Sequence, residues 1–203
     1  MLNQDYWEQK YQEKSTPWDI RQAAPPFVSL LSSADAPIPG RIAVLGCGRG
    51  YDAVLFAQKG FEVIGFDFAT SAIAEATEIA KLAGFDIKFL QRDIFDLPAE
   101  FPNYFDYILE HTCFCAIDPT RRQDYVQVAK SILRYQGRLI GLFFTHNRSG
   151  GPPFGATPKE IQEYFQADFE IDFLIPAVNS VVSRQGEEHL GVFKVRKIGT
   201  AVQ

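Results

Sequence analysis

The chain has 203 residues, 46% of them hydrophobic, enough for one domain that buries roughly 70% of its unfolded surface. A formal charge of −5 excludes the basic footprint of a nucleic-acid binder, and no apolar run reaches the roughly 18 residues of a membrane span. Three cysteines with no C-x-x-C spacing argue against a disulfide framework, and Met1-Leu2-Asn3-Gln4-Asp5 lacks a signal-peptide pattern, so a cytoplasmic location is expected. Residues 5–13 read as a short amphipathic helix that breaks at Ser15-Thr16-Pro17. A second helix opens at Pro25-Pro26, since proline is tolerated in a first turn, and runs through Phe27, Leu30 and Leu31. Ile42-Ala43-Val44-Leu45 is a buried parallel strand, followed by a glycine turn and a helix from Tyr51 to Ala57. Residues 61–66 form the second strand, and a helix over 70–83 stops at Gly84. Strands follow at 85–91 and 104–109; Asp118-Pro119 then starts a helix that ends at Gly137. Strand 138–144 leads into a Gly/Pro-rich loop at 145–156, and Thr157-Pro158-Lys159-Glu160 is a capping box opening the next helix. Two strands, 169–176 and 189–197, finish the chain. Such alternation predicts an α/β fold with a parallel sheet and helices on both faces. The 18 phenylalanines point to a thick aromatic core or an aromatic pocket.

The chemistry concentrates at Leu45-Gly46-Cys47-Gly48-Arg49-Gly50. Glycines let the backbone press against a ligand where a Cβ would clash. A dinucleotide fingerprint, G-x-G-x-x-G, would put its third glycine at 51, which is Tyr; here the third is Gly50. The resulting G-x-G-x-G resembles motif I of the class I S-adenosylmethionine (SAM)-dependent methyltransferases, which favours SAM over NAD. Asp67, about 20 residues beyond the turn and at the end of the second strand, is placed to accept both ribose hydroxyls. The blander reading is a tight turn with Asp67 as a helix cap. After strand three, Asp93 can accept from an adenine amino group while Ile94 or Phe95 covers a ring face; alternatively Asp93 is an ordinary turn acid. Trp7 and Tyr11 share a helix face, and with Trp18 they either pack on the core or fold over the ligand as a lid. His111 and His146 follow strands four and five, each a candidate general base or a hydrogen-bonded wall. The three histidines (111, 146 and 189) lack metal-ligand spacing, so no metal is expected. Cys113 and Cys115 alternate, one toward the core and one toward the cleft if the segment is extended. Arg121 pairs with Asp118 or lines the pocket, and residues 183–188 read as a solvated turn.

The opening W-x-x-x-Y followed by P-W-D, then Cys113-Phe114-Cys115-Ala116-Ile117-Asp118-Pro119 with Arg121, then Gly150-Gly151-Pro152-Pro153-Phe154, resemble the thiopurine S-methyltransferase family, which includes halide and thiol methyltransferases. The resemblance spans about residues 5 to 195. It implies a Rossmann-like three-layer sandwich, with a mostly parallel seven-stranded sheet carrying a terminal antiparallel strand. One domain over 1–203 would comprise a helical lid segment (1–36) and a core (38–200). Carried over by position, SAM contacts fall on Trp7, Tyr11, Trp18, Gly46, Asp67, Asp93, Ile94 and His111, with Gly48 and Gly50 completing the loop. Trp18, Phe114, His146 and Phe154 would wall the acceptor pocket. Two departures stand out: the family more often has Trp where Tyr11 stands, and its halide branch usually has Tyr where His111 stands. The expected activity is in-line transfer of the SAM methyl to a small thiol, thiopurine, thiocyanate or halide, leaving S-adenosyl-L-homocysteine. An oxygen, nitrogen or metalloid-oxyanion acceptor, with His111 or His146 as base, is the alternative; a non-catalytic SAM-binding module is another. The implied partner is a small molecule, with no nucleic acid and no membrane, and family members being often monomers sets the expected state.

Overall fold

The computed structural model describes residues 2–196. Its strands are β1 (Arg41–Leu45), β2 (Glu62–Asp67), β3 (Lys88–Gln91), β4 (Phe105–His111), β5 (Leu133–Phe144), β6 (Phe169–Pro176) and β7 (Glu188–Val195). They form one sheet in the order β3-β2-β1-β4-β5-β7-β6. The first five strands pair in parallel, and β7 runs antiparallel between β5 and β6. The helices are α1 (Gln4–Gln12), α2 (Pro25–Leu30), α3 (Tyr51–Gln58), α4 (Thr70–Leu82), α5 (Leu97–Glu100), α6 (Arg122–Ile132) and α7 (Pro158–Phe165). None of the described helices is long and apolar enough to cross a membrane.

Period-two alternation divides β1 between two cores. Ile42 and Val44 face Phe27, Val54 and Phe56 on one side, while Ala43 and Leu45 face Phe105, Tyr125 and Phe165 on the other. Both faces of the central strands are therefore covered, which is why their sequences are continuously apolar. Phenylalanine fills chiefly the second core: Phe143 stacks on Phe193 with centroids 5.4 Å apart, and Phe165 meets Phe193 at 5.0 Å. Each fully buried Phe contributes about 1.5–3 kcal/mol of apolar transfer free energy.

Several expectations need correction. The helix after Asp118 does not reach Gly137; a 3-10 turn (Pro119–Arg121) leads into α6, which stops at Ile132. β5 then starts at Leu133, opposite Phe105, and an irregularity before the Tyr107–Arg138 pair absorbs the intervening residues. Gly137 serves that close approach, because a Cβ there would sit 2.8 Å from the Arg134 carbonyl oxygen. β4 extends to His111 and so carries Glu110 and His111 on the strand itself. Cys113 and Cys115 do not alternate: a 3-10 turn (Phe114–Ala116) follows Thr112, whose φ is +63°. The expected strand end at Lys197 and core end at 200 lie outside the described residues.

Candidate active site

The carboxyl ends of β1 and β2 build the first part of the site. Gly46, Gly48 and Gly50 have φ of +59°, +52° and +76°, a left-handed run in which other residues are strained. A Cβ on Gly48 would lie 3.4 Å from the Tyr11 hydroxyl, and one on Gly50 would press at 3.0 Å on Ala76 and Phe89. Asp67 stands beneath this loop. Its two oxygens accept from the Gly48 N–H and the Ala69 N–H, both at 2.9 Å. Burial pushes the Asp67 pKa up, and the N–H groups of Ala69, Gly48 and Phe68 oppose that rise. Each oxygen keeps acceptor capacity beyond its one backbone bond.

The N-terminal segment closes over the loop. Trp7, Tyr11 and Trp18 pack with Ala69 and Ala72, with Trp18 5.4 Å from Trp7 and 5.9 Å from Tyr11 between centroids. Glu8 accepts from the Ser71 N–H at 2.9 Å, fixing α1 to the start of α4. Arg49, inside the glycine turn, bonds Asp19 and Glu75 and donates to Thr16 Oγ1 at 3.0 Å. Tyr11, Trp18, Asp19, the 46–52 stretch, His111 and Thr112 line the resulting cleft.

His111 lines the same cleft from the end of β4. Its Nδ1 lies 2.7 Å from Asp52, whose other oxygen accepts from the Ala24 N–H at 2.8 Å. Its Nε2 lies 3.0 Å from Arg184 Nη1 and 3.8 Å from Glu188. Burial disfavours the imidazolium, but Asp52 and Glu188 outweigh burial and Arg184 and hold the His111 pKa up to about 9. Nε2 accepts from Arg184 at 3.0 Å when it carries no proton; when it carries one, the nearby acceptor is Glu188 at 3.8 Å. Arg184 itself is 7% exposed, which corrects the reading of 183–188 as a solvated turn. A hydrophilic run, Ser183-Arg184-Gln185-Gly186-Glu187-Glu188, gave no local sign of this burial.

The remaining candidates are not among the residues that line this cleft directly. Asp93 and Ile94 follow β3, next in the sheet to Asp67; Asp93 accepts from the Phe95 N–H at 2.9 Å and Ile94 is buried. Phe114 is 2% exposed and packs among Tyr125, Phe143 and Phe165, so it supports the site from within the core rather than lining the cleft. Phe154 donates its N–H to the Cys115 carbonyl at 2.7 Å, and Arg122 holds the carbonyls of Phe154 and Gly155. His146 is buried beside this loop, accepting from the Arg148 N–H at 3.3 Å, while its Nε2 has no partner. Burial and Arg148 lower the His146 pKa, so the ring is neutral at pH 7. Arg121 neither pairs with Asp118 nor lines the cleft; it stacks on Phe95, 3.6 Å from the centroid, and pairs with Asp124. Burial raises the thiols of Cys113 and Cys115, the latter to about 12, which disfavours the thiolate of each.

A sequence profile of the thiopurine S-methyltransferase family matches residues 2–199. The chain is 34% identical over 193 residues to probable thiol methyltransferase 2 of Arabidopsis thaliana, covering 93% of this chain and 84% of that one. It is 32% identical to thiocyanate methyltransferase 1 of the same plant, over 93% and 83% of the two chains. Among solved structures, 1,6-didemethyltoxoflavin-N1-methyltransferase of Burkholderia thailandensis, with bound S-adenosylhomocysteine, superposes with a TM-score of 0.78 at 18% identity, over 96% of this chain and 87% of that one. A structure described with the conversion of a disulfide bond into a thioacetal group in echinomycin biosynthesis superposes at 0.79 with 21% identity, over 95% and 92%. These two likenesses establish the fold. With the profile covering nearly its whole length, the chain belongs to the thiopurine S-methyltransferase family of SAM-dependent small-molecule methyltransferases.

Proposed function

We propose that this enzyme transfers the SAM methyl group to a small soft nucleophile (a thiol, thiopurine, thiocyanate or halide) by in-line displacement, working as a monomer in the cytoplasm. The observation that carries the proposal is the state of His111, the histidine that lines the cleft. Both its ring nitrogens are engaged, with Asp52 and with Arg184 or Glu188, so it is not free to take a proton from an acceptor. A soft nucleophile needs no such help: a thiol of pKa about 8.5 is already a few per cent thiolate at pH 7. A hydroxyl or amine acceptor would need a positioned base far more.

The residues suit the cofactor. The left-handed turn at Gly46, Gly48 and Gly50 lays the loop backbone beside Asp67, whose oxygens have spare acceptor capacity for two ribose hydroxyls. Asp93 and Ile94 would serve the adenine, and Trp7, Tyr11 and Trp18 would cover the donor, with Trp7 acting through Trp18. When bound, SAM supplies an already activated methyl on a sulfonium. The chain's task is then to orient the reactants, worth ~7–11 kcal/mol of barrier, and to keep water from the nucleophile. Trp18 and the 145–156 loop with His146 and Phe154 would flank the acceptor, with Phe114 behind them.

Titration calorimetry with S-adenosylhomocysteine tests the cofactor site: Asp67→Asn should weaken binding on the order of 10–100-fold, the worth of charge-assisted hydrogen bonds. A turnover panel of thiols, thiopurines, thiocyanate, iodide and oxyanions tests the acceptor. His146→Ala should leave thiol turnover within about threefold of wild type. A collapse of turnover in that variant, or activity on oxyanions alone, would assign the base-dependent alternative instead.

A further inference from the structure

We infer that Arg184 is a positioning residue that sets the lid and His111 together. One guanidinium bonds the Trp18 carbonyl through Nη2, and through Nη1 it reaches His111 Nε2 and Glu188, each at 3.0 Å. Its two long-range partners lie 166 and 73 positions away in the chain. The inference concerns the same cleft as the proposed methyl transfer and rests on that reading for its kinetic consequence.

Why should a guanidinium be hidden in a short loop between two strands? Arg184 belongs to a 3-10 turn (Val182–Arg184) whose first residue, Val182, is 86% exposed. Turning the arginine inward desolvates a full charge, which is unfavourable unless the partners fit it closely. Anchoring the loop alone would need only local bonds, and the Arg184 N–H already makes one to the Val181 carbonyl at 2.8 Å. The guanidinium bypasses these for the lid and for the end of β4. Glu188, 2% exposed, supplies the compensating charge and fixes the fork from β7. A planar fork with several rigidly placed donors can hold a carbonyl on one arm and an imidazole and carboxylate on the other; a lysine ammonium at the same place can satisfy only part of that set.

From this arrangement Trp18 and His111 cannot move independently. Displacing the lid backbone withdraws one acceptor from Arg184 and frees the guanidinium to shift. His111 then keeps Asp52 at Nδ1 but loses Arg184 at Nε2, with Glu188 left at 3.8 Å. The imidazole facing the cleft is thus held in one orientation only while the lid is down.

Both tryptophans of the chain, Trp7 and Trp18, sit in the lid, so tryptophan emission, excited selectively over the tyrosines, reports on that segment. The test compares wild type, Arg184→Lys and Arg184→Gln by acrylamide quenching of tryptophan emission, by 15N NMR of the His111 ring, and by steady-state kinetics with a thiol acceptor. Positioning predicts faster quenching in both variants, a changed His111 Nε2 resonance, and a KM for SAM raised about tenfold with kcat moved less than about threefold. Arg184→Lys, which retains the charge, should fall between wild type and Arg184→Gln. If Arg184→Gln fails to fold, the lysine variant decides. Wild-type quenching, His111 resonances and KM in Arg184→Lys would overturn the inference, even with a lowered melting temperature, since they would leave Arg184 a loop anchor only. The quenching and NMR arms use the ligand-free enzyme, so absence of SAM binding in wild type would sink the proposed function without deciding the role of Arg184.

Discussion

Glu110 is fully buried at the end of β4, where its carboxylate accepts from the Phe114 N–H at 2.9 Å and the Tyr125 hydroxyl at 2.6 Å. Burial drives its pKa up to about 7, although those two donors and His111 favour the ionised form. The folded state therefore holds this proton more tightly than the unfolded chain, where the group titrates near 4.5. Its contribution to stability is complete below pH 4.5, is lost as the pH rises through 7, and stays lost above. Unfolding by urea at a series of pH values checks this against Glu110→Gln, which cannot titrate. Wild-type stability should fall relative to the variant by on the order of 3 kcal/mol across that window, with no further divergence at higher pH. A difference that grew in favour of wild type with rising pH would show that hydrogen bonding, not burial, governs this carboxyl. Behind the catalytic cleft, then, sits an acid whose charge is tuned by the core rather than by solvent.

Helix α7 shows how local signals fix an element. Thr157 Oγ1 accepts from the Glu160 N–H at 3.2 Å while Glu160 accepts from the Thr157 N–H at 2.7 Å, closing the capping box that the sequence predicts. Thr157→Ala should lower stability by about 1 kcal/mol, read as a drop in the denaturation midpoint with an unchanged slope. The same helix buries Ile161 and Phe165 against the second core, so its loss would be felt across that side of the sheet. The capping box and β1 were legible because their causes lie within three or four residues. So too were Gly46, Gly48, Gly50 and Asp67, whose spacing alone puts a left-handed loop over an acid. Gly137 misled, because a glycine after a helix-compatible stretch signals a helix end, whereas here it accommodates a strand irregularity that only the pairing of β4 and β5 creates. Phe114 and Arg184 were illegible for a related reason. The backbone reversal at Thr112 turns Phe114 into the aromatic core, and the partners that bury Arg184 come from remote parts of the chain.

Over the whole molecule, the polar contacts between the N-terminal segment and the body include Glu8 on Ser71, Asp19 and Thr16 on Arg49, and the Trp18 carbonyl on Arg184. Of these only Asp19–Arg49 is an ion pair, its side chains 9% and 18% exposed, and Arg49 also reaches the more exposed Glu75, so this one guanidinium ties the N-terminal segment to the glycine turn and α4. Arg49→Gln leaves Asp19 without its counter-charge and should lower the melting temperature by less than a core truncation does, while accelerating the release of S-adenosylhomocysteine, measured by stopped-flow tryptophan emission. A melting loss as large as that of a core truncation, with unaltered release, would place Arg49 in the scaffold instead. The insertion of β7 between β5 and β6 has a consequence for biosynthesis. The segment that packs over the glycine turn is synthesised well before the arginine that bonds it and before the strand carrying Glu188. A growing polypeptide therefore cannot fasten the Trp18 segment through Arg184 until the stretch that also supplies β7 has emerged, so closing the sheet between β5 and β6 and tying down that segment depend on the same piece of chain.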